Sequence, residues 1–422
     1  LRGEPSATIL PEVTDMNEKI RTAREAALAV LQPSPKDLEH GLELHADALV
    51  CESYGFAPRC AVDGDALRAA AEAGASDAEL QDRQEDMTMT RCATVESERK
   101  EFVEAWEAAG VDCIMQNAGE EGQAPLRLLK RLARFTYVAD RLPDFLRRAA
   151  RPDDIVAARE DGRRCFYLTG NGVPLTQDWV SIEDELRYIR IFFQLGIRMM
   201  HLTYNRRNMI GDGCAEPANG GLSDFGRAVV AEMNRVGVIV DVAHSGWRTS
   251  LEAAQASARP MVASHAVCHA LNPHCRSKPD EVLRAIVDTD GLVGICCIPA
   301  FLGGTGDLSA LLDHIDHVAK TFGADHVAIG TDVAYTSTTA SAEQKKVPSR
   351  GPARHRWENF WPPDDDLHKP QWRTERQVQS MAWTNWPMFT VGLVQRGYSD
   401  DDIRKILGGN VLRVARAVWP SA

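Results

Sequence analysis

The chain has 422 residues, 44% hydrophobic and 26% charged, the balance of an ordinary globular protein. Its net charge of −12 argues against nucleic acid and anionic membrane surfaces, whose phosphates select basic patches. No run of about 18 apolar residues occurs, which excludes a transmembrane helix. The opening LRGEPSATILPEVTDMNEK lacks the basic-then-apolar order of a secretory signal, so a cytoplasmic protein is expected. The ten cysteines are spread thinly, and several stand inside apolar runs such as CFYL and GICCI. Buried, reduced thiols acting as small hydrophobes are the expectation.

Residues 1–422 read as a single domain, with 1–45 a polar N-terminal extension over the barrel floor and 46–422 the barrel with its C-terminal helices. Short apolar runs then recur at ALVC (48–51), VDCIMQ (111–116), CFYLTG (165–170), IRMMHLT (197–203), VIVDVAH (238–244), PMVASHA (260–266), LVGICCI (292–298) and VAIGTDV (327–333). They seldom alternate with charge, as expected of strands covered on both faces. Amphipathic helices lie between them. In IEDELRYIRIFFQL the residues Ile182, Leu186, Ile189 and Phe193 form one stripe, and in SDFGRAVVAEMNRVG Ser223 caps and Gly237 closes.

Eight strands in series with helices between them predict an α/β fold, a (β/α)₈ barrel. An open doubly wound sheet is the alternative, weakened by the missing G-x-G-x-x-G after the first strand. Two long interruptions, 52–96 and 334–375, leave strands one and eight on the face where such barrels place their sites. A last helix is read in DDDIRKILGGNVLRVARAVW.

A barrel interior rejects ionisable side chains unless they are paired or bind metal, so the polar residues at strand ends are the informative ones. They are Asn171, Tyr204 with Asn205, His244, His265 and Asp332. His244 and His265 end consecutive strands, and neutral imidazoles side by side suit zinc or another divalent ion; paired structural histidines are the alternative. Asp332 has the chemistry to bind metal, accept a proton from water, hold a substrate ammonium group or merely cap a turn. Arg276 has the fork to grip a substrate carboxylate, or else pairs at the surface with Asp280 or Glu281.

From about Pro152 to Trp419 the chain resembles the membrane (renal) dipeptidase family, peptidase family M19. The resemblance rests on LTYNRRNMIGDG, GLSDFGRAVVAEMNRVGVIVDVAHSG, VASHAVCHALNPHCRSKPDE, GLVGICCIPAFL and DHVAIGTD, in that order. It implies a two-zinc (β/α)₈ barrel that hydrolyses dipeptides and related amides, commonly as a homodimer. It also places His244 and His265 on the ligands of the second zinc. Arg276 falls on the arginine that receives the dipeptide carboxylate, and Asp332 on the aspartate serving substrate or its attacking water.

The departures fall in the same site. The family's first strand ends in a His-x-Asp pair, but LVCESYGFAP puts Tyr54 and Phe56 there, and the HAD at 45–47 precedes the strand. YLTGNGVPL offers Gly170 or Asn171 in place of a bridging glutamate, and LTYN carries Tyr204 where the family has histidine. At most one divalent ion, zinc above others, is therefore expected, in a hydrolase of a small C–N bond. Asp332, Tyr204 and Asn171 are its expected catalytic groups, with Tyr204 and Asn171 donating to the oxyanion. The competing reading is a barrel that binds a small molecule without catalysis.

Between 357 and 386 the chain carries Trp357, Phe360, Trp361, Trp372, Trp383 and Trp386. Packing of a lid is the plain explanation. The sharper one is an aromatic cage in which Trp361 and Trp383, with Tyr54 and Phe56, receive the quaternary ammonium of a zwitterionic substrate.

Overall fold

The computed structural model describes residues 16–119, 124–348, 360–362 and 364–419. Each of the eight predicted runs contributes a strand, and two further short strands pair outside the main path. In chain order they are β1 Cys51–Gly55, β2 Cys113–Asn117, β3 Leu146–Arg148, β4 Arg164–Gly170, β5 Met199–His201, β6 Ile239–Asp241, β7 Val262–Cys268, β8 Ser277–Lys278, β9 Leu292–Ile295 and β10 Val327–Ile329. The sheet order is β1-β2-β4-β5-β6-β7-β9-β10, all parallel, with β3 beside β4 and β8 beside β7. Consecutive strands as neighbours, with helices between them, make a nearly closed eight-stranded barrel rather than a doubly wound sheet.

At the seam between β10 and β1 a carboxylate stands in for the ladder. Glu52, fully buried, accepts from the Thr331 N–H at 3.1 Å, from the Thr331 hydroxyl and from the Trp383 indole N–H at 2.8 Å. Burial pushes its pKa up to about 8 against these three donors. A folded-state pKa above the ordinary 4.5 means that the folded chain holds the proton more tightly. The stabilisation linked to this group is thus complete below the unfolded value and is lost as pH rises through about 8. Glu52→Gln is expected to flatten that part of the stability–pH profile, which melting temperatures of the two proteins across the range check directly.

The floor of the barrel takes one residue from each main strand: Cys51, Cys113, Cys165, Met199, Ile239, Val262, Leu292 and Ala328. Val411, Leu412, Val414 and Val418 of the helix Asn410–Val418 pack on this ring and close it. The N-terminal helices Glu18–Leu31 and Pro35–Asp47 pack instead against the helices Glu375–Ser380 and Trp386–Gln395. The expected N-terminal cover of the floor is therefore replaced by the C-terminal helix, whose apolar face matches the ring. Eight of the ten cysteines are buried, as the apolar runs require, while Cys214 and Cys275 are only partly so.

The helix Asp224–Val236 has its expected ends: the Ser223 hydroxyl accepts the Gly226 N–H at 2.9 Å, and Gly237 closes it at φ 96°. The stripe in Ile182–Gln194 is rotated from the expected one. Ile182 is exposed, and Glu185 is buried with Ile189 and Phe192. Glu185 turns inward because it accepts the Gln177 and Trp179 N–H groups and the Thr176 hydroxyl, tying down the loop before the helix.

Candidate metal centre and active-site cavity

At the C-terminal mouth, β7 carries an irregularity between Ala263 and Ala266 in its pairing with β9. Such a bulge re-aims side chains, and here it presents His265. The turn after β6 presents His244 beside it, and the two Nε2 atoms lie 2.9 Å apart. Both rings are buried, at 0% and 3% exposure, so neither nitrogen can be satisfied by bulk water.

With Asn205 turning Oδ1 toward His244, the outer hydrogen bonds assign the ring protons. The Ser264 hydroxyl donates to Asp241, so it is left to accept from Nδ1–H of His265 at 2.8 Å. Nδ1–H of His244 donates to Oδ1 of Asn205 at 2.7 Å. Each Nε2 therefore carries its lone pair toward the other. Two lone pairs at this separation repel unless a cation lies between them. Burial, then the nearby Arg276 guanidinium, holds both rings well below the ordinary imidazole pKa, which disfavours a proton as that cation. Tetrahedral zinc with bonds near 2.0–2.1 Å separates two ligand nitrogens by about 3.3 Å, so the pair fits a divalent ion after a small spread. Outer partners that fix the ring tautomer are what ligating histidines use.

Beneath the pair sits a second group that strand-end reasoning missed. His201 of β5 and Asp241 of β6 are fully buried, with His201 Nε2 2.6 Å from Asp241 Oδ2. That contact is out of line for a hydrogen bond, and both ring nitrogens of His201 lack a hydrogen-bond partner. His201, Asp241 and His265 have ligand atoms close enough to hold one ion. His265 is thus common to both arrangements, and Asp241 supplies the anionic group that the altered first strand does not. The signal for these two was present in MMHLT and VIVDV: polar residues at inward, alternating positions of barrel strands.

Aromatic rings bracket the centre. Tyr54 stacks on His265 with centroids 3.8 Å apart, and Tyr204 stacks on His244 at 4.0 Å. The Tyr54 hydroxyl donates to Asn171 at 2.8 Å. A cavity of about 1160 Å³ opens above, lined among others by Tyr54, Asn171, Tyr204, His244, Asp332 and Trp361. Asp332 and Asn205 both adopt left-handed backbone, at φ 57° and 53°. Strain of this kind collects where a side chain must be aimed.

Two expected site residues lie elsewhere. Arg276 is 1% exposed, and its guanidinium donates to the Ala243 and His265 carbonyls, the latter in the bulged stretch of β7. It braces the ligand-bearing backbone and does not line the cavity. Trp383 is likewise not at the mouth: it is 1% exposed, packs edge-on against Trp106 at 5.4 Å and bonds Glu52. Among the other late aromatics, Trp386 is buried, Trp372 packs on the core, and Trp357 lies outside the described residues. Trp361 does line the cavity, stacked on Phe301 at 5.5 Å, while Phe360 meets Tyr204 edge-on at 5.4 Å. The rings of the expected cage are therefore not gathered around one point.

Arg59, which strand-based reading passed over, does line the cavity. It keeps accessible surface although protein surrounds it, because that surface faces the cavity. Its guanidinium lies 4.8 Å from the Phe56 ring centroid, with no carboxylate in ion-pair range among the described residues. Arg127 and Arg131 also reach the cavity, where both pair with Glu85, a carboxylate they share with Arg134.

Comparison with known proteins bears on the family and the fold. The family model described as membrane dipeptidase (peptidase family M19) matches residues 76–347. Dipeptidase aclJ of Aspergillus oryzae is 31% identical over 240 residues, covering 56% of this chain and 48% of the relative. Dipeptidase tcpJ of Claviceps purpurea is 28% identical over 281 residues, covering 65% and 56%. The chain thus spans about half the length of the curated relatives it matches. Among solved structures, an amidohydrolase from Pseudomonas aeruginosa superposes with a TM-score of 0.63 at 25% identity, over 90% of this chain and 99% of that one. A metallo peptidase from Rhodobacter sphaeroides, liganded with a phosphinate mimic of the dipeptide L-Ala-D-Ala, gives 0.61 at 15% identity, over 88% and 99%; at that identity the likeness concerns the fold alone. No helix among the described residues is long and apolar enough to cross a membrane. With the family model covering more than half of its length, the chain belongs to the membrane dipeptidase family, peptidase family M19.

Proposed function

We propose that this barrel hydrolyses dipeptides or closely related small amides with one divalent ion, zinc above others, held at His265. The observation that carries the reading is the pair of Nε2 lone pairs facing each other at 2.9 Å in a buried setting. His244 is the second ligand, and Asp241 with His201 supplies charge and a further nitrogen beneath. A bound ion of this kind acidifies water and polarises a carbonyl. The space of a second ion is taken by Tyr54, whose ring lies flat on His265.

The chain's own groups do the rest. Asp332, aimed into the cavity by its left-handed backbone, accepts the proton that leaves the attacking water and returns it to the departing amine. Asn171 and Tyr204 face the scissile carbonyl and stabilise the charge that develops on its oxygen. Arg59 takes the substrate carboxylate in place of Arg276, because it lines the cavity with no carboxylate in ion-pair range among the described residues. Burial of the reacting bond beneath Trp361 keeps competing water out.

A panel of dipeptides, their C-terminal amides and N-acyl amino acids, assayed before and after chelation, tests the reading. Metal-dependent release of free amino acids is the expected result. Binding without turnover under every metal condition would instead make this a non-catalytic barrel. Arg59→Gln is expected to raise KM for free dipeptides at least ~10-fold, the scale of one lost charge-assisted bond, while leaving C-terminal amides nearly unchanged. Equal effects on both substrate sets would remove Arg59 from the carboxylate site.

A further inference from the structure

The cavity is larger than a dipeptide needs. Its volume of about 1160 Å³ exceeds the roughly 300–1,000 Å³ of pockets that enclose drug-sized ligands. One part of its wall is apolar and lies away from the strand ends. Phe102 of the helix Glu96–Ala109, Phe135 and Val138 of the helix Pro125–Arg141, and Phe166 of β4 line it there. Phe135 meets Phe166 edge-on at 5.2 Å, and all four side chains belong to the apolar core. This arm of the cavity therefore offers carbon surface and no side-chain hydrogen bond. Met89, on the helix Asp77–Thr94, lines the same cavity and is only partly buried.

The charges of the cavity are arranged against a substrate ammonium group. Among the described residues its lining carboxylates are Asp77, Glu85 and Asp332. Glu85 is shared by Arg127, Arg131 and Arg134. Asp77 is exposed in the first turn of its helix, where the backbone dipole holds its charge. Asp332 lies in the field of Arg59 and Arg276. Arg276 itself is buried and bonded to carbonyl oxygens, with no carboxylate in ion-pair range among the described residues. A divalent ion at the proposed centre adds to this positive balance. Nor do the rings make a cage for a cation: Tyr54 and Tyr204 lie on imidazoles, and Trp361 lies on Phe301.

We infer that the preferred substrates are amino acids acylated on nitrogen by a large apolar group, with dipeptides carrying a free N-terminus the poorer ones. The inference rests on the hydrolytic reading above and narrows its substrate. The apolar arm takes the acyl chain, Arg59 takes the carboxylate, and no partner for an ammonium is needed. Water adds to the acyl carbonyl and the C–N bond breaks. Both water protons end on the departing nitrogen, so the products are a carboxylate and a free amino acid.

The dipeptide Phe-Ala and 3-phenylpropanoyl-alanine differ only in the α-ammonium group, and they make the test, each prepared with both enantiomers of alanine. The expected result is a kcat/KM at least ~10-fold higher for the acyl compound, because like charges brought together in a closed site are strongly disfavoured. Calorimetric titration of the full chain should rank the two ligands in the same order. Met89→Trp, which fills space on the arm side, is expected to lower kcat/KM for 3-phenylpropanoyl-alanine at least ~10-fold and to leave N-acetylalanine within about 2-fold. Phe-Ala turned over as well as its acyl counterpart would overturn the inference. If no amide were hydrolysed, the hydrolytic reading alone would fall, and equal or tighter binding of Phe-Ala in the titration would overturn this one.

Discussion

Replacing His265 with alanine is expected to strip the mouth of its divalent ion and to lower dipeptide turnover by on the order of 10²-fold or more, since even outer partners of ligands are worth 10–100-fold. His265 is the one residue common to the pair with His244 and to the group with His201 and Asp241. Removing it deprives either arrangement of a neutral nitrogen and leaves too few ligands for a tight site. It also frees the Tyr54 ring, which lies flat on the imidazole at 3.8 Å. Metal content by elemental analysis, taken with circular dichroism to establish folding, reads this directly. A folded His265→Ala protein that keeps its ion and its turnover would place the metal elsewhere.

Trp383→Ala is expected to destabilise the fold by about 3–5 kcal/mol, the usual cost of truncating a buried tryptophan. The indole fills space beside Trp106, and its N–H is one of the three donors to the buried Glu52 at the β10–β1 seam. Truncation therefore opens a cavity and leaves a buried carboxyl short of a partner, two costs that add. Denaturant unfolding gives the number. Wild-type stability together with weakened substrate binding would return Trp383 to the mouth and revive the aromatic cage.

How far the sequence could be read follows from what each residue's role depends on. The eight strands were legible because strands covered on both faces leave uninterrupted apolar runs, whatever packs on them. His244 and His265 were legible because each ends such a run, and the strand end is where this architecture presents side chains. His201 and Asp241 close β5 and β6 but lie inside the longer apolar runs read from the sequence, so attention to the ends of those runs passes over them. Their inward direction is visible only once the two-residue alternation of β5 and β6 is applied. Arg59 sits in a long segment without periodicity, so its approach to the cavity depends on tertiary folding alone. Arg276 has the chemistry of a carboxylate anchor, but the bulge in β7 exposes a carbonyl that takes its guanidinium first. The late aromatics were a matter of direction: a segment leaving the catalytic face can also turn outward, and Trp383 and Trp386 do, into the layer beneath the N-terminal helices.

The departures from the family pattern are coherent in space. Tyr54 and Asn171 stand where the first ion's ligand and the bridging carboxylate are absent from the sequence, and the two bond to each other at 2.8 Å. Tyr54 then covers His265, and Tyr204 covers His244. Aromatic rings therefore lie on both imidazoles, which is the closure that the proposed single-ion site requires.

Anomalous diffraction at the zinc edge, from crystals of the zinc-loaded protein, asks where that ion lies. One peak at the barrel mouth, within bonding distance of His265 and of His244 or Asp241, is the result this account predicts, with no second peak against Tyr54. A mouth without any peak, or a pair of ions bridged there as in a two-metal site, would contradict it.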